Sequence, residues 1–254
     1  MTSELRVLRP PPDLVPRPRL LTRLGAGLTR KLVLVSAPAG YGKTTLLSTW
    51  VTSPDAPRAV GWIALDAADN DPARFWSRVA TTLHEAQGGP SPSGGPAPPV
   101  PDPRCLPPAA VIEALARCTR PLVLILDDYQ HITDAAIDAG LAYLLDHLPA
   151  EVHLVIASRC DPPLPLAAYR AAGELIEVRA ADLRFTPEEV RACAGRFPHL
   201  APAPEQFVAR VARAEGWAAG LQMAALAMQA GDAAAPGAEP VITGKHKYIG
   251  DYLA

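Results

Sequence analysis

The feature that most constrains the fold is an apolar run that leads directly into a glycine-rich loop. Residues 32–35 (Leu-Val-Leu-Val) are followed by Ser36, by the loop 37–42, and by a lysine and two threonines at 43–45. This order predicts a buried strand, a tight turn and the start of a helix. Backbone N–H groups in such a turn, together with the helix N-terminus, can surround a phosphate group. We therefore predict a phosphate-binding loop within an α/β fold.

The residue types in this loop suit a nucleoside polyphosphate with Mg²⁺. Lys43 would reach the β- and γ-phosphates, and the hydroxyl of Thr44 would hold the metal. Ala37 stands where the usual pattern has its first glycine, and it is also small. A structural turn without a ligand is the alternative interpretation. The residues predicted to bind ATP or ADP are Ala39, Gly40, Tyr41, Gly42, Lys43, Thr44 and Thr45.

A second motif places two carboxylates at the end of an apolar strand. Residues 122–126 are all apolar and lead into Asp127 and Asp128. Burying a charge without a partner is costly, so this pair calls for a function. We predict that Asp127 holds Mg²⁺, directly or through water, and that Asp128 orients or deprotonates the attacking water. An acidic turn after a buried strand is the alternative.

A further apolar strand ends in Ser158 and Arg159. Ligands of parallel α/β sheets gather at the carboxyl ends of the strands, so Arg159 is a candidate sensor of a γ-phosphate. A surface arginine without a ligand is the alternative. Together with Lys43 and Asp128, Arg159 completes the predicted set of catalytic residues.

Composition divides the chain into unequal parts. Prolines forbid a regular helix through most of the first segment, and a short helix is expected at 20–28. Alternating strand and helix patterns follow, and from Thr186 the pattern becomes helical. The predicted parts are an N-terminal arm (1–30), a nucleotide-binding domain (31–180) with a flexible Pro/Gly/Ser-rich insertion (88–108), a helical domain (181–230) and a linker leading into a further domain (231–254).

Bulk properties exclude several classes of function. The net charge of −2 provides no basic surface for nucleic acid, and no apolar run is long enough to cross a membrane. We therefore expect no membrane partner. The four cysteines are scattered without paired spacing, which favours reduced thiols in a cytoplasmic protein. They are Cys105, Cys118, Cys160 and Cys193.

Several stretches of the chain follow the order of a known family. They are residues 14–20, 37–46, 62 with 65–66 and 69–75, 126–129, 157–159, 182–189 and 216–221. With them the chain resembles the nucleotide-binding region of large ATP-dependent LuxR-type regulators of the maltose-activator type, within the STAND class of signalling NTPases. The matching stretches span nearly the whole chain.

The resemblance implies a P-loop NTPase parallel sheet of order 5-1-4-3-2, with helices on both faces and a small helical domain after it. ATP or ADP would lie between the two domains. The resemblance also implies that Val15 and Arg17 adjoin the adenine and that Arg159 senses the γ-phosphate. A winged-helix domain would begin within 231–254. Inducer and DNA would bind through domains absent from this chain.

The function favoured by these features is a regulatory switch in a bacterial transcriptional regulator. ADP would hold the domains closed, inducer-promoted exchange for ATP would open them for self-association, and slow ATP hydrolysis would reset the switch. The alternative is an ATPase motor or loader of the AAA type, for which rapid turnover and ring assembly would be evidence. A scaffold that binds no nucleotide is disfavoured by the intact Lys43, Thr44, Asp127 and Asp128.

Overall fold

The structure is a computed structural model that describes residues 14–15, 17–54, 56–57, 59–88, 109–116, 120–194, 204–213 and 216–221. These residues form two compact units. The first, here called the sheet unit, holds Arg19–Ser36 and the described residues of Thr44–Val178. The second unit holds Ala37–Lys43 and the described residues of Pro10–Pro18 and Arg179–Ala254.

Five strands form one sheet in the order β2-β3-β4-β1-β5, which is the predicted order read from its other edge. The pairs β1–β4, β2–β3 and β3–β4 are parallel. Each strand lies where an apolar run predicts one. The strands are β1 Leu32–Ser36, β2 Ala59–Ala64, β3 Leu122–Asp127, β4 Val152–Ser158 and β5 Leu175–Arg179.

Burial explains why the three inner strands are almost continuously apolar. Every residue of β1, β3 and β4 is buried, as expected of parallel strands covered on both faces. The outer strands β2 and β5 are only partly buried and carry polar or small residues. Polar side chains on the inner strands are therefore exceptions that need a reason.

The helices of the sheet unit follow the predicted order, with small shifts at their ends. The helix expected at 20–28 begins at Pro18 and ends at Ala26, where a 3₁₀ turn takes over. A short helix after β4 was not predicted, because Pro162, Pro163 and Pro165 obscure its pattern. The helices are α1 Pro18–Ala26, α2 Lys43–Val51, α3 Pro72–Ala86, α4 Ala109–Ala116, α5 Ala135–Asp146 and α6 Leu166–Ala171.

Helix α3 supplies aromatic residues to the core. Phe75, Trp76, Val79 and Leu83 are buried on one face. The Phe75 and Trp76 rings meet edge to face with centroids 5.0 Å apart. Burial of each such side chain contributes about 1.5–3 kcal/mol, so these aromatics hold the helix on the sheet.

The second unit contains short helices around a small apolar core. They are α7 Ala180–Leu183, α8 Pro187–Ala194 and α9 Pro204–Arg213. The predicted start of α8 is confirmed, because the Thr186 N–H donates to Glu189 Oε2 at 3.0 Å and the Glu189 N–H donates to Thr186 Oγ1 at 3.3 Å. The core includes Val15, Val190, Cys193, Ala194, Phe207, Val211 and Leu221.

Several sequence predictions fall outside the described residues. They concern residues 1–13, the insertion beyond Gly88 and the segment 222–254. Of the four cysteines, Cys105 and Cys118 also lie outside them, while Cys160 is exposed and Cys193 is buried, both as free thiols. In the described part of the chain, no helix is long and apolar enough to span a membrane.

Candidate nucleotide site

The loop between β1 and α2 depends on two glycines. Gly40 and Gly42 have φ values of 80° and 79°, in the left-handed region where only glycine is unstrained. Ala37, which takes the place of the usual first glycine, is buried. The glycine pattern of the sequence therefore reflects a real backbone requirement, and Ala37 meets a packing requirement instead.

The Lys43 side chain folds back and hydrogen-bonds to the loop that precedes it. Its side chain is only 7% exposed, and Nζ donates to the carbonyl oxygens of Ala37 at 2.7 Å and Pro38 at 3.1 Å. A buried ammonium held by neutral carbonyls is a favourable partner for an anion. Lys43 is thus the first residue of α2 and hydrogen-bonds back to the glycine-rich loop, and its role toward phosphate remains a prediction.

The loop also contacts residues Gly216–Leu221 of the same unit. The Ala219 N–H donates to the Gly40 carbonyl at 3.0 Å. The Trp217 ring lies 2.7 Å from the point that a Cβ on Gly40 would occupy, and its centroid is 6.1 Å from that of Tyr41. The segment that the sequence assigned to the helical region is thus a direct neighbour of the phosphate-binding loop.

The remaining residues of the loop segment differ in exposure. Ala39, Tyr41 and Thr45 are half-buried, while Thr44 is exposed on the first turn of α2. The Thr45 carbonyl accepts a hydrogen bond from Thr49 Oγ1 at 2.8 Å, which is an ordinary helix contact. The predicted role of Thr44 toward a metal ion remains a prediction.

In the sheet unit, β3 ends at Asp127, and Asp128 follows it. Asp127 is 2% exposed, and its Oδ1 accepts the Asp128 N–H at 3.0 Å. Asp128 has φ 58° and ψ 40°, a left-handed conformation that is uncommon for a residue with a side chain. The chain therefore turns sharply directly after β3 and leaves one carboxylate buried and the next half-buried.

Arg159 follows β4, the neighbour of β3, and its side chain is exposed. Its backbone N–H donates to Gln130 Oε1 at 3.0 Å, and Gln130 Nε2 donates to Asp128 Oδ1 at 2.9 Å. The structure thus links two predicted catalytic residues, Asp128 and Arg159, through Gln130, which the sequence analysis did not identify. Gln130 stands two positions after Asp128 in no recognisable pattern, so no local signal could have found it.

A second missed contact joins β1 to the segment after β4. Ser36 pairs in register with Ser158, and Ser36 Oγ donates to Asp161 Oδ1 at 2.8 Å. Both serines are buried. The polar ends of the inner strands are therefore hydrogen-bonded at the same edge that carries Asp127.

Val15 and Arg17 lie in the core of the second unit. Arg17 Nη2 donates to the carbonyls of Leu183 at 2.8 Å and Arg184 at 2.9 Å, and its guanidinium lies 4.1 Å from the centre of the Phe185 ring. Its Nε is 3.5 Å from Glu189 Oε2. These contacts give Arg17 a structural role in that unit, and a role of either residue toward adenine remains a prediction.

The Asp-Asn-Asp stretch at 69–71 organises the loop after β3. Asn70 Oδ1 accepts the N–H groups of Thr133 and Asp134, both at 2.8 Å, and its Nδ2 donates to Thr133 Oγ1 at 2.9 Å. In the sequence, this stretch is one of the segments that carry the family resemblance. The structure adds that its asparagine holds the segment leading into α5.

Asp69 is fully buried and is compensated by two arginines. Arg74 Nε donates to its Oδ1 at 2.9 Å, and Arg78 pairs with its Oδ2. Burial alone raises the pKa of Asp69, but the hydrogen bonds from Arg78, from the Asp66 backbone and from Arg74 outweigh it, so the pKa lies below its ordinary value. Asp69 is therefore ionised and acts as a structural anchor for α3.

The donor set fits a nucleotide with Mg²⁺. Within the described residues, no group of three or more His, Cys, Asp or Glu side chains is placed to hold a metal ion. Mg²⁺ in phosphoryl-transfer sites is usually held by one or two protein ligands plus phosphate oxygens and water. The buried Asp127 carboxylate and the Thr44 hydroxyl suit that pattern, and the Lys43 ammonium suits the phosphates.

A parallel sheet of this order, with a glycine loop after β1, defines a P-loop NTPase fold. A family model described as an AAA ATPase domain matches residues 19–157, more than half of the chain. The chain belongs to the AAA ATPase domain family.

The curated relatives are transcriptional regulators. The HTH-type transcriptional regulator MalT of Serratia proteamaculans is 32% identical over 258 residues, which cover 93% of this chain and 26% of the relative. MalT of Cronobacter sakazakii is 33% identical, with coverage of 94% and 26%. The chain is thus homologous to MalT-type regulators and spans about a quarter of their length.

Solved structures support the fold. A STAND protein with a tetratricopeptide repeat sensor from Pyrococcus horikoshii matches with a TM-score of 0.57 at 15% identity, covering 96% of this chain and 33% of that one. Cdc6p from Pyrobaculum aerophilum matches with a TM-score of 0.51 at 17% identity, covering 89% and 66%. At such identity the likeness concerns the fold alone.

Proposed function

We propose that this chain is the ATP/ADP-binding switch module of a bacterial transcriptional regulator. ADP holds the module closed, exchange for ATP opens it for self-association, and slow hydrolysis resets it. Inducer and DNA bind elsewhere in the regulator, which works in the cytoplasm. Homology to MalT-type regulators supports the regulatory setting.

The observation that carries the proposal is the contact between the phosphate-binding loop and residues Gly216–Leu221. Gly40 is both a left-handed loop residue and the acceptor of the Ala219 N–H, and it lies against Trp217. A phosphate group held by this loop would act directly on that contact. Nucleotide state could therefore be passed to the helices of the second unit, as a switch requires.

The residue roles follow from the chemistry of phosphoryl transfer. Lys43 pairs with the phosphates, and Asp128 orients the attacking water and takes its proton. Arg159 contacts the γ-phosphate, which distinguishes ATP from ADP. Thr44 and Asp127 would hold Mg²⁺, which would neutralise charge on the phosphates. Val15 and Arg17 adjoin the adenine, with Ala39, Gly40, Tyr41, Gly42 and Thr45 around the phosphates.

Replacing Lys43 by alanine should weaken binding of ADP and of a non-hydrolysable ATP analogue at least about tenfold, because a charge-assisted contact to phosphate is lost. Calorimetric titration of the 254-residue chain measures this. Lys31→Ala is the matched control, since Lys31 forms an ion pair with Glu174 at 2.9 Å in the sheet unit. Unchanged affinity in Lys43→Ala contradicts the proposed site.

The switch is tested separately from binding. Nucleotide released from the purified chain is identified by chromatography, and the mass of the whole regulator is measured by sedimentation with ADP and with the ATP analogue. We expect slow turnover and a larger assembly only with the analogue. Rapid steady-state turnover together with a ring assembly of this chain alone would favour a motor or loader of the AAA type instead.

A further inference from the structure

One side chain, Gln130, joins the ends of two neighbouring strands. It lies in the 3₁₀ turn Tyr129–His131 directly after β3. Its Nε2 donates to Asp128 Oδ1 at 2.9 Å, and its Oε1 accepts the backbone N–H of Arg159 at 3.0 Å. The second bond spans 29 residues of sequence, which is possible because β3 and β4 are adjacent and parallel.

The chemistry of the two partners determines the orientation of this amide. An ionised carboxylate can only accept a hydrogen bond, and a backbone N–H can only donate one. A single orientation of the Gln130 amide satisfies both. A glutamate at this position could serve only Arg159, and a lysine could serve only Asp128.

Asp128 depends on its neighbours for its conformation. Its left-handed backbone, with φ 58° and ψ 40°, is sparsely populated by residues other than glycine. Such conformations persist where surrounding contacts hold them, and they cluster at functional sites. The described contacts that hold Asp128 include the bond from its N–H to Asp127 Oδ1, the bond from the His131 N–H to its carbonyl at 3.2 Å and the bond from Gln130 to its carboxylate.

We propose that Gln130 is a positioning residue that couples the carboxylate of Asp128 to the backbone of Arg159. This inference rests on the proposed function, in which Asp128 activates water and Arg159 contacts the γ-phosphate. Movement of the Arg159 backbone on contact with the γ-phosphate is passed through Gln130 to the carboxylate. Hydrolysis therefore requires Gln130, whereas nucleotide binding does not.

Three substitutions separate the two bonds. Gln130→Met removes both, Gln130→Glu keeps only the acceptor for Arg159, and Gln130→Lys keeps only the donor to Asp128. Gln87→Met, at the exposed C-terminal end of α3, is the matched control. Circular dichroism of each variant checks the fold, and the nearly isosteric Gln130→Glu keeps the test valid should Gln130→Met unfold.

The first readout needs no nucleotide. Amide hydrogen exchange of Arg159, followed by NMR, should be severalfold faster in Gln130→Met and Gln130→Lys than in the wild type. Gln87→Met should retain the wild-type rate. Gln130→Glu keeps the acceptor but brings a second carboxylate beside Asp128, so its rate should lie between those of the wild type and Gln130→Met. Equal exchange rates in all variants would mean that the bond to Arg159 is absent in solution and would overturn the proposal.

The second measurement compares the rate of ATP hydrolysis with the affinity for the ATP analogue. All three Gln130 variants should lose about 10- to 100-fold in kcat for ATP hydrolysis, as supporting contacts of a site typically do, with affinity for the ATP analogue unchanged within about twofold. Wild-type kcat in Gln130→Lys would show that Asp128 needs no link to Arg159 and would overturn the coupling.

The two proposals fail in different ways. A wild-type chain that binds no nucleotide overturns the proposed function and this inference with it. A wild-type chain that binds but does not hydrolyse ATP overturns the positioning role and the hydrolytic reset, and leaves the nucleotide-binding part of the proposed function standing. A wild-type chain that hydrolyses ATP at the same rate as Gln130→Met overturns the inference and leaves the proposed function standing.

Discussion

At the level of single residues, two independent constraints require glycine at position 40. Its φ of 80° excludes side chains on conformational grounds, and the Trp217 ring excludes them on steric grounds. The sequence motif accounts for the first constraint. The second depends on a tryptophan far along the chain, so it became visible only in the folded unit.

Gly40→Ala should destabilise the chain by about 1–2 kcal/mol from the left-handed backbone alone, with a further cost from displacing Trp217. Urea unfolding measures the loss. Gly25→Ala is the control, because Gly25 lies within α1 and nothing is within 4 Å of the added Cβ. That change should be neutral or stabilising by about 0.5–1 kcal/mol, and equal losses in the two variants would contradict this explanation.

Asp138 makes the stability of the sheet unit depend on pH. Burial raises its pKa above the ordinary value of 3.8, Asp134 adds to the rise, and the hydrogen bond from Tyr129 at 2.7 Å opposes it. The folded state therefore binds this proton more tightly than the unfolded state. The associated stability is complete below the ordinary pKa and is lost as pH rises through the raised value.

Asp138→Asn should remove this dependence while keeping an oxygen to accept the Tyr129 hydroxyl. The variant should gain stability relative to the wild type as pH rises from about 4 to 7. Chemical denaturation across that range measures the difference. Tyr129→Phe should show the opposite effect, a steeper loss of stability with rising pH than in the wild type, because it removes the hydrogen bond that lowers the pKa of Asp138. Parallel curves for the wild type and Asp138→Asn would contradict the assignment.

At the scale of elements, two loops of the sheet unit are joined by Asn70. It follows β2 and receives hydrogen bonds from the segment between β3 and α5, 63 and 64 residues away. That segment follows directly on Asp127, Asp128 and Gln130. The Asp-Asn-Asp stretch therefore supports the segment that follows Asp127 and Asp128.

Asn70→Ala should destabilise the chain by about 1–3 kcal/mol, since two backbone N–H groups lose their acceptor. Asn70→Asp keeps that acceptor and loses only the donor to Thr133 Oγ1, so it should cost less. Differential scanning calorimetry compares the two. If the aspartate variant were as unstable as the alanine variant, the backbone contacts would not be the cause.

At the scale of the whole molecule, nucleotide binding is a source of stability. A ligand at 100 times its dissociation constant adds about 2.7 kcal/mol to the folded state by mass action. For a chain of this size, ADP should then raise the Tm of the wild type by about 5–10 °C. At the same ADP concentration, the at least tenfold weaker binding expected of Lys43→Ala should reduce this rise to about half or less, and an equal rise in both would place the nucleotide elsewhere.

The positions of the strands and of the glycine-rich loop after β1 could be predicted from the sequence. Apolar runs, a left-handed turn that needs glycine, and carboxylates after a buried strand are local requirements, and each leaves a local pattern. Gly40, Lys43, Asp127 and Asp128 could be named for that reason. The strand order came from resemblance to a family, and the observed sheet confirms it.

The tertiary structure alone decided which side chains meet. Gln130 reaches Arg159 across 29 residues, and Arg17 reaches the Leu183 carbonyl across 166. Neither bond leaves a periodic or compositional trace, because its partners are brought together only when strands pair and helices pack. Polar contacts between distant loops therefore remained invisible in the sequence.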